Sequence, residues 1–371
     1  MIYLDHAATS WPKPEVVPAA MQRWFTDVGV SASRGAGDRC QVAARTVATA
    51  RAALAHRCSS DPAHVAFTSG ATESLNLVLR ALLHPGAAVV TTAFEHSSVV
   101  RPLAALASER NLRLEVLPPH GDRGIDLAAV RSAFAHHRPS ALVCTHASNV
   151  TGAVLPAAEL CALAREHRVL SVLDVSQTAG WLDLRVGADV LCGSAHKALL
   201  GPPGLGFVAH RGLQLPAQKQ GGTGSSVALA QHPDHWPDAF EAGTPNTPAI
   251  FGLEAALAAR SEATERRELA ATLATLDAFA ARLEAMDGFR VHAAKTAERT
   301  PVLSFTHARL DPAEIGAILA GADVHVRTGH HCAPWLHEHL GTAAAGTVRV
   351  SIGPNTAAAE LDFVADLLAG L

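Results

Sequence analysis

Between residues 64 and 210 the chain alternates short, nearly unbroken apolar runs with stretches whose apolar residues recur every three or four positions. The runs HVAFTSG (64–70), AAVVTTAFE (87–95), RLEVLPP (113–119), ALVCTHAS (141–148), LSVLDVS (170–176), ADVLCGS (188–194) and LGFVAH (205–210) read as strands. Several are apolar at odd and even positions alike, as strands covered by helices on both faces should be. Between the first two, ATESLNLVLRALL sets Leu75, Val78, Leu79 and Leu82 at i, i+3, i+4 and i+7, the stripe of a packed helix. Strand and helix in alternation predict an α/β fold with a mostly parallel, doubly wound sheet.

After about residue 250 the texture changes. ELAATLATLDAFAARLEAM places Leu269, Leu273, Leu276 and Leu283 on one helical face, TPVLSFTH and ADVHVRT read as strands, and AAAELDFVADLLAGL closes as an amphipathic helix. Fewer strands with longer helices predict a smaller α+β part. Residues 211–249, rich in Gly, Pro, Gln and His, have weak periodicity and read as an irregular segment.

Composition narrows the function without naming it. The 371 residues are 49% apolar and 17% charged with a net charge of −4, so nothing marks a nucleic-acid or anionic-membrane surface. No apolar run reaches the roughly 20 residues of a membrane span. The opening MIYLDHAATSWPKP has neither a basic nor an apolar stretch, so no signal peptide is expected. Six cysteines, at 40, 58, 144, 161, 192 and 332, include no C-x-x-C pair, which fits free thiols in a reducing compartment, by default the cytoplasm. No metal site is expected: His330, His331 and Cys332 are consecutive and point apart.

In open parallel sheets ligands bind beyond the carboxyl ends of the strands. Those ends carry TSGATES (68–74), Glu95-His96, Asn149, Asp174 with Gln177, and Ser194, His196 and Lys197. The helix opening near Ala71 and Thr72 is a plain N-cap or, through its unpaired amides and dipole, a phosphate site. Lys197 is a solvated loop lysine or a desolvated amine able to form a Schiff base. Asp174 is a helix cap or the partner of a protonated ring nitrogen. Phosphate site, aldehyde-seeking amine and carboxylate together are what pyridoxal 5′-phosphate requires. The Gly-rich GPPGLG after Lys197 lacks G-x-G-x-x-G spacing and precedes a strand, so a nucleotide loop is a weak reading.

With YLDHAAT, SGATES, EHSS, SNVTG, DVSQTAG, SAHK, EAGTPN, RTGHHCAP and VRVS in this order, the chain resembles the class V, fold-type I pyridoxal-phosphate enzymes, specifically cysteine desulfurases and selenocysteine lyases with a short catalytic loop. The resemblance implies a large cofactor domain over 16–250 and a smaller domain of 1–15 with 251–371. It assigns Lys197 to the Schiff base and to proton abstraction, Asp174 to the pyridine nitrogen, Gln177 to the ring hydroxyl and His96 to the ring face and proton transfer. Ala71, Thr72, Ser194 and His196 would hold the phosphate, with Thr244 supplied by the second subunit of a homodimer. Arg349 and Asn149 would take the substrate carboxylate, and Arg327 and, near the substrate entrance, Arg34 would lie beside it. Cys332 would attack the sulfur of L-cysteine, leaving alanine and a persulfide for an acceptor protein, with Arg327, His330 and His331 favouring its thiolate.

His6 departs from the Asn, Ser or Tyr usual at its place in YLD-x-AAT, which bears on substrate or partner detail. Selenocysteine cleavage, another class V C–S lyase or aminotransferase, a non-catalytic sulfur-relay scaffold and a nucleotide-binding module stand as alternatives.

Overall fold

Near-continuous apolar strands need a hydrophobic layer on each side, and the chain supplies two. A computed structural model describes residues 1–371 except 33, 34, 36, 122, 123, 225–229 and 297. After the short β1 (Ile2–Tyr3) come β2 (Val65–Thr68), β3 (Ala88–Thr92), β4 (Arg113–Leu117), β5 (Ala141–Thr145), β6 (Leu170–Asp174), β7 (Val190–Ser194) and β8 (Gly206–His210). These seven form one sheet in the order β2-β8-β7-β6-β5-β3-β4, with β8 antiparallel to both neighbours and the pairs from β7 to β4 parallel. The expected mostly parallel α/β sheet is present, and each strand expected from 64 to 210 is in it.

Successive side chains of the central strands go to opposite cores. After α1 (Val16–Arg23), which lies outside the two sheet cores, α2 (Asp38–Cys58) and later helices build the layer faced by Val90, Leu142, Leu173, Leu191 and Phe207, while Val89, Val143, Val172, Val190 and Val208 face the other. The second layer is α3 (Ala71–Leu82) and α4 (Ser97–Arg110), through Leu75, Val78, Leu79, Val99 and Leu103. The first layer continues with α5 (Leu127–His137), α6 (Ala157–Glu166) and α7 (Thr247–Ala259), through Phe134, Leu160 and Leu253. Each such burial contributes about 1.5–3 kcal/mol against exposure. Edge strand β4 alternates Arg113 and Glu115 with apolar residues, which protects a free edge from further pairing.

The long α8 (Glu262–Glu284) serves two cores. Leu269 packs on Trp181 and Ala198, whereas Leu276, Phe279 and Leu283 join a separate core under a second sheet. That sheet, in the order β12-β13-β10-β9, is antiparallel: β9 (Phe289–His292), β10 (Val302–His307), β12 (Arg327–Gly329) and β13 (Thr347–Ser351). Helices α9 (Pro312–Gly321), α10 (Pro334–Leu340) and α11 (Ala358–Leu368) complete this part. ADVHVRT, expected as one strand, is split: β11 (Val324–His325) pairs in parallel with β1, and after Val326 the chain turns to pair β12 with β13. The described residues between β8 and α7 contain neither helix nor strand, matching the irregular reading of 211–249.

GPPGLG finds a packing use instead of a nucleotide. A Cβ on Gly206 would lie 2.5 Å from the backbone of Gly70, so glycine is what lets β8 meet the start of α3. No helix among the described residues is long and apolar enough to cross a membrane.

Candidate active site

The carboxyl ends of the central strands face one cavity, where open parallel sheets bind their ligands. Ala71, Thr72, His96, Asn149, Asp174, Gln177, Ser194, His196, Lys197, Arg327, Cys332 and Arg349 all line it. Thr244 does not; it borders a separate groove with Ser69, Glu73 and Lys219. Arg34 lies outside the described residues. Among the described residues, no group of three or more His, Cys, Asp or Glu could hold a metal ion.

Helix α3 opens at Gly70 without a side-chain cap from that residue, and its first residues, Ala71 and Thr72, line the cavity. The Ala71 N–H donates to Ser194 Oγ at 3.1 Å, and Thr72 Oγ1 lies 2.7 Å from Ser98 Oγ. Ser98 also donates its backbone N–H to His96 Nδ1 at 3.0 Å, which makes His96 the N-cap of α4 and leaves the ring proton on Nε2. Burial, then the charge of Lys197, pulls His96 down to about 4, so the ring is neutral at neutral pH.

Asp174 ends β6 between β5 and β7, in register with Thr145 and Cys192, and its Oδ1 accepts the Ser176 N–H at 2.9 Å. Lys197 follows β7, and burial pulls its amine down to about 8 despite the opposing charge of Asp174. Its backbone is pinned: His196 O accepts from Ser10 N (2.9 Å), Thr9 Oγ1 (3.1 Å), Ser10 Oγ (3.1 Å) and Lys13 Nζ (2.7 Å). Gly180, at φ +96°, passes so near this turn that a Cβ would lie 2.3 Å from Ala198 O. Gln177 Nε2 donates to Ala7 O at 3.0 Å.

Arg349 rises from the middle of β13, 2% exposed, paired with Asp5 and donating through Nη1 to Asn149 O at 3.2 Å. Opposite it is Cys332, the exposed cysteine, in the four-residue turn between β12 and α10; Cys58, Cys144, Cys161 and Cys192 are buried. Burial raises all four buried thiols, Cys58 to about 12 and Cys161 to about 11, so they stay protonated and inert.

The donor set suits pyridoxal phosphate. An uncapped helix start with Thr72 and Ser194, a half-desolvated amine, a buried carboxylate and a neutral imidazole match phosphate, aldehyde, ring nitrogen and ring face. His196, whose Nδ1 is buried without a partner, lines the same cavity.

A model of the family described as aminotransferase class-V matches residues 2–364. The chain belongs to that family. Members of the class-V family use pyridoxal phosphate, in line with the donor set above. A Pseudomonas aeruginosa protein named "Probable cysteine desulfurase" is 34% identical over 98% of this chain and 91% of its own length. A cysteine desulfurase of Klebsiella pneumoniae is 32% identical over 90% and 84%. An apo structure of cysteine desulfurase from Thermococcus onnurineus superposes with a TM-score of 0.90, at 27% identity, over 100% of this chain and 94% of that one.

Within this class-V site, three side chains carry more than the sequence reading gave them. Asp5 neutralises Arg349, Lys13 ties the N-terminal segment to the peptide before Lys197, and Glu95, next to His96, is fully buried. Glu95 Oε1 accepts from Thr92 Oγ1 at 2.5 Å and from Thr145 N at 3.0 Å, while Oε2 has no partner. Burial, with the charge of Asp174 adding, pushes Glu95 up to about 8, so it is neutral at neutral pH. The signal available was position: YLDHAAT holds Asp5, WPKP holds Lys13, and Glu95 precedes His96.

The expectation that His331 favours a thiolate by its charge is corrected. Burial, Arg349 and His337 hold its ring far below the ordinary imidazole range, and it is spent on Thr347 Oγ1 at 2.8 Å. His6, the departure in YLDHAAT, stacks edge-on against Tyr3 and lines a small void with Trp181 and Pro301, behind Lys197.

Proposed function

We propose that this chain is a pyridoxal-phosphate-dependent cysteine desulfurase that converts L-cysteine to L-alanine and carries the sulfur as a persulfide on Cys332. The observation carrying this reading is that Lys197, Asp174, His96 and the exposed Cys332 border one cavity.

Pyridoxal phosphate, when bound, supplies an electron sink for the substrate α-carbon. Thr72, Ser194, His196 and the Ala71 end of α3 would hold its phosphate, Asp174 its ring nitrogen and Gln177 its hydroxyl, with the Lys197 amine placed for its aldehyde. Arg349, kept in place by Asp5 and flanked by Asn149, binds the substrate carboxylate. With its amine near 8, Lys197 is available as the base that removes the α-proton, which a solvated lysine near 10.5 is not. His96 presents an Nε2–H to the ring side and can pass a proton there. The Cys332 thiolate attacks the substrate sulfur; the S–S bond forms, the C–S bond breaks with its electron pair left on carbon, and a proton completes alanine. Arg327 borders the cavity together with Cys332.

The same reading includes a division into 16–250 and 1–15 with 251–371, a homodimer, an acceptor protein for the sulfur and a cytoplasmic setting. Thr244 borders a groove apart from its own cavity, and this reading assigns it to the neighbouring subunit's site. Incubation with L-cysteine tests the core of the proposal. Equimolar alanine and a mass gain of one sulfur on the Cys332 peptide are expected; alanine formation undiminished in Cys332→Ala would remove the mechanism.

A further inference from the structure

The turn that carries the thiol has an unusual backbone. His331 and Cys332 are consecutive non-glycine residues in the left-handed region, at φ +48° and +57°. Chains of L-residues visit that region singly, and a pair persists only where the surroundings hold it. Two short hydrogen bonds do so here. Asn149 Nδ2 donates to His331 O at 2.6 Å, and the Ser97 N–H donates to Cys332 O at 2.6 Å. Asn149 is itself buried and braced, since its own carbonyl accepts from Arg349 and the turn around it is closed by Ser148. Its amide therefore reaches the thiol turn from a fixed point on the rim of the parallel sheet.

We propose that Asn149 is a positioning residue for Cys332: its side-chain amide latches the carbonyl before the thiol and, with the Ser97 amide, keeps the turn in its paired left-handed form beside the cavity. This deepens the desulfurase reading, and only its kinetic consequence rests on that reading. A group that merely helps Arg349 bind a carboxylate would have no reason to bond the loop. Removing the latch leaves the turn free to relax toward right-handed conformers that carry the thiol off its line to the substrate sulfur.

The test compares the cofactor-loaded wild type with Asn149→Ala, with the isosteric Asn149→Asp, which lacks the N–H donor, and with Ser97→Pro. Ser97 is the first residue of α4 and His96 before it is extended (ψ 154°), so proline fits there while deleting the other latch donor. Amide exchange over residues 330–334 and the iodoacetamide alkylation rate of Cys332, both mapped by mass spectrometry, should change roughly five- to tenfold in all three variants, the effect of one hydrogen bond. Exchange over α3 should stay at the wild-type rate. For alanine formation, kcat should fall by more than KM rises. Wild-type exchange and alkylation in both Asn149 variants, or a raised KM alone, would overturn the proposal and leave Asn149 a carboxylate ligand. A wild-type protein that makes no alanine from L-cysteine would sink the desulfurase reading, while the exchange and alkylation comparison would still decide the latch.

Discussion

Asp174 and Lys197 reach the cavity from the sheet centre, where β6 is hydrogen-bonded on both sides and the peptide before Lys197 is met by four donors. Cys332 reaches the same cavity from four residues between β12 and α10, tied to the parallel sheet by Asn149 and the Ser97 amide. One wall is fixed by ladders that would exist without any ligand; the other holds a disfavoured backbone, at about 1–2 kcal/mol per left-handed residue, by individual contacts. A cofactor needs a site that does not move. On the proposed function, a thiol that collects sulfur and presents it outward gains from sitting on an exposed turn that a few bonds can hold or release.

The largest effects should separate these walls. Lys197→Ala is expected to lose at least roughly 10²- to 10⁴-fold in alanine formation, together with the absorbance of lysine-bound cofactor. Cys332→Ala should abolish persulfide formation yet keep that absorbance; loss of the cofactor band in both variants would erase the distinction. Asp5→Ala strands a buried arginine at the seam between the walls and should cost about 3 kcal/mol, read as a lower calorimetric Tm, with a raised KM for cysteine.

Glu95 gives a pH-dependent effect. Its folded pKa of about 8 lies above the ordinary carboxyl value of 4.5, so the folded protein holds this proton more tightly and the stabilisation it gives at acid pH is lost as pH rises from 4.5 through about 8. Glu95→Gln, which keeps the shape and stays neutral, should flatten that slope and gain on the order of a few kcal/mol at pH 8.5 in urea titrations. An unchanged slope would mean that the carboxyl is ionised in the folded protein. Lys13→Met is expected to do least, at about 1 kcal/mol, because three other donors remain on His196 O; a greater loss of cofactor affinity would show that the cradle depends on the arm more than on the ladders.

The sheet was legible because each of its strands is a compact apolar run. Its order was not, since nothing local in GFVAH says that β8 inserts antiparallel between β2 and β7. β9 (FRVH) escaped notice because an arginine and a histidine interrupt a short segment, and ADVHVRT hides its break because the two halves differ in partner, not in pattern. At the site, Lys197, Asp174 and His96 stand at strand ends where position alone draws notice. Asp5 and Lys13 act across more than a hundred residues, and the paired left-handed turn at His331 and Cys332 has no glycine to announce it.

The bond between Asp5 and Arg349 joins residues 344 positions apart, and β1 pairs with a strand more than three hundred residues later. During synthesis, then, the segment around Asp5 must wait for Arg349, hundreds of positions later, before the pocket can close around that arginine. Until that moment the nascent polypeptide can assemble most of its parallel sheet but no finished cavity wall around Arg349, so the site reaches its final form only after the second sheet has emerged.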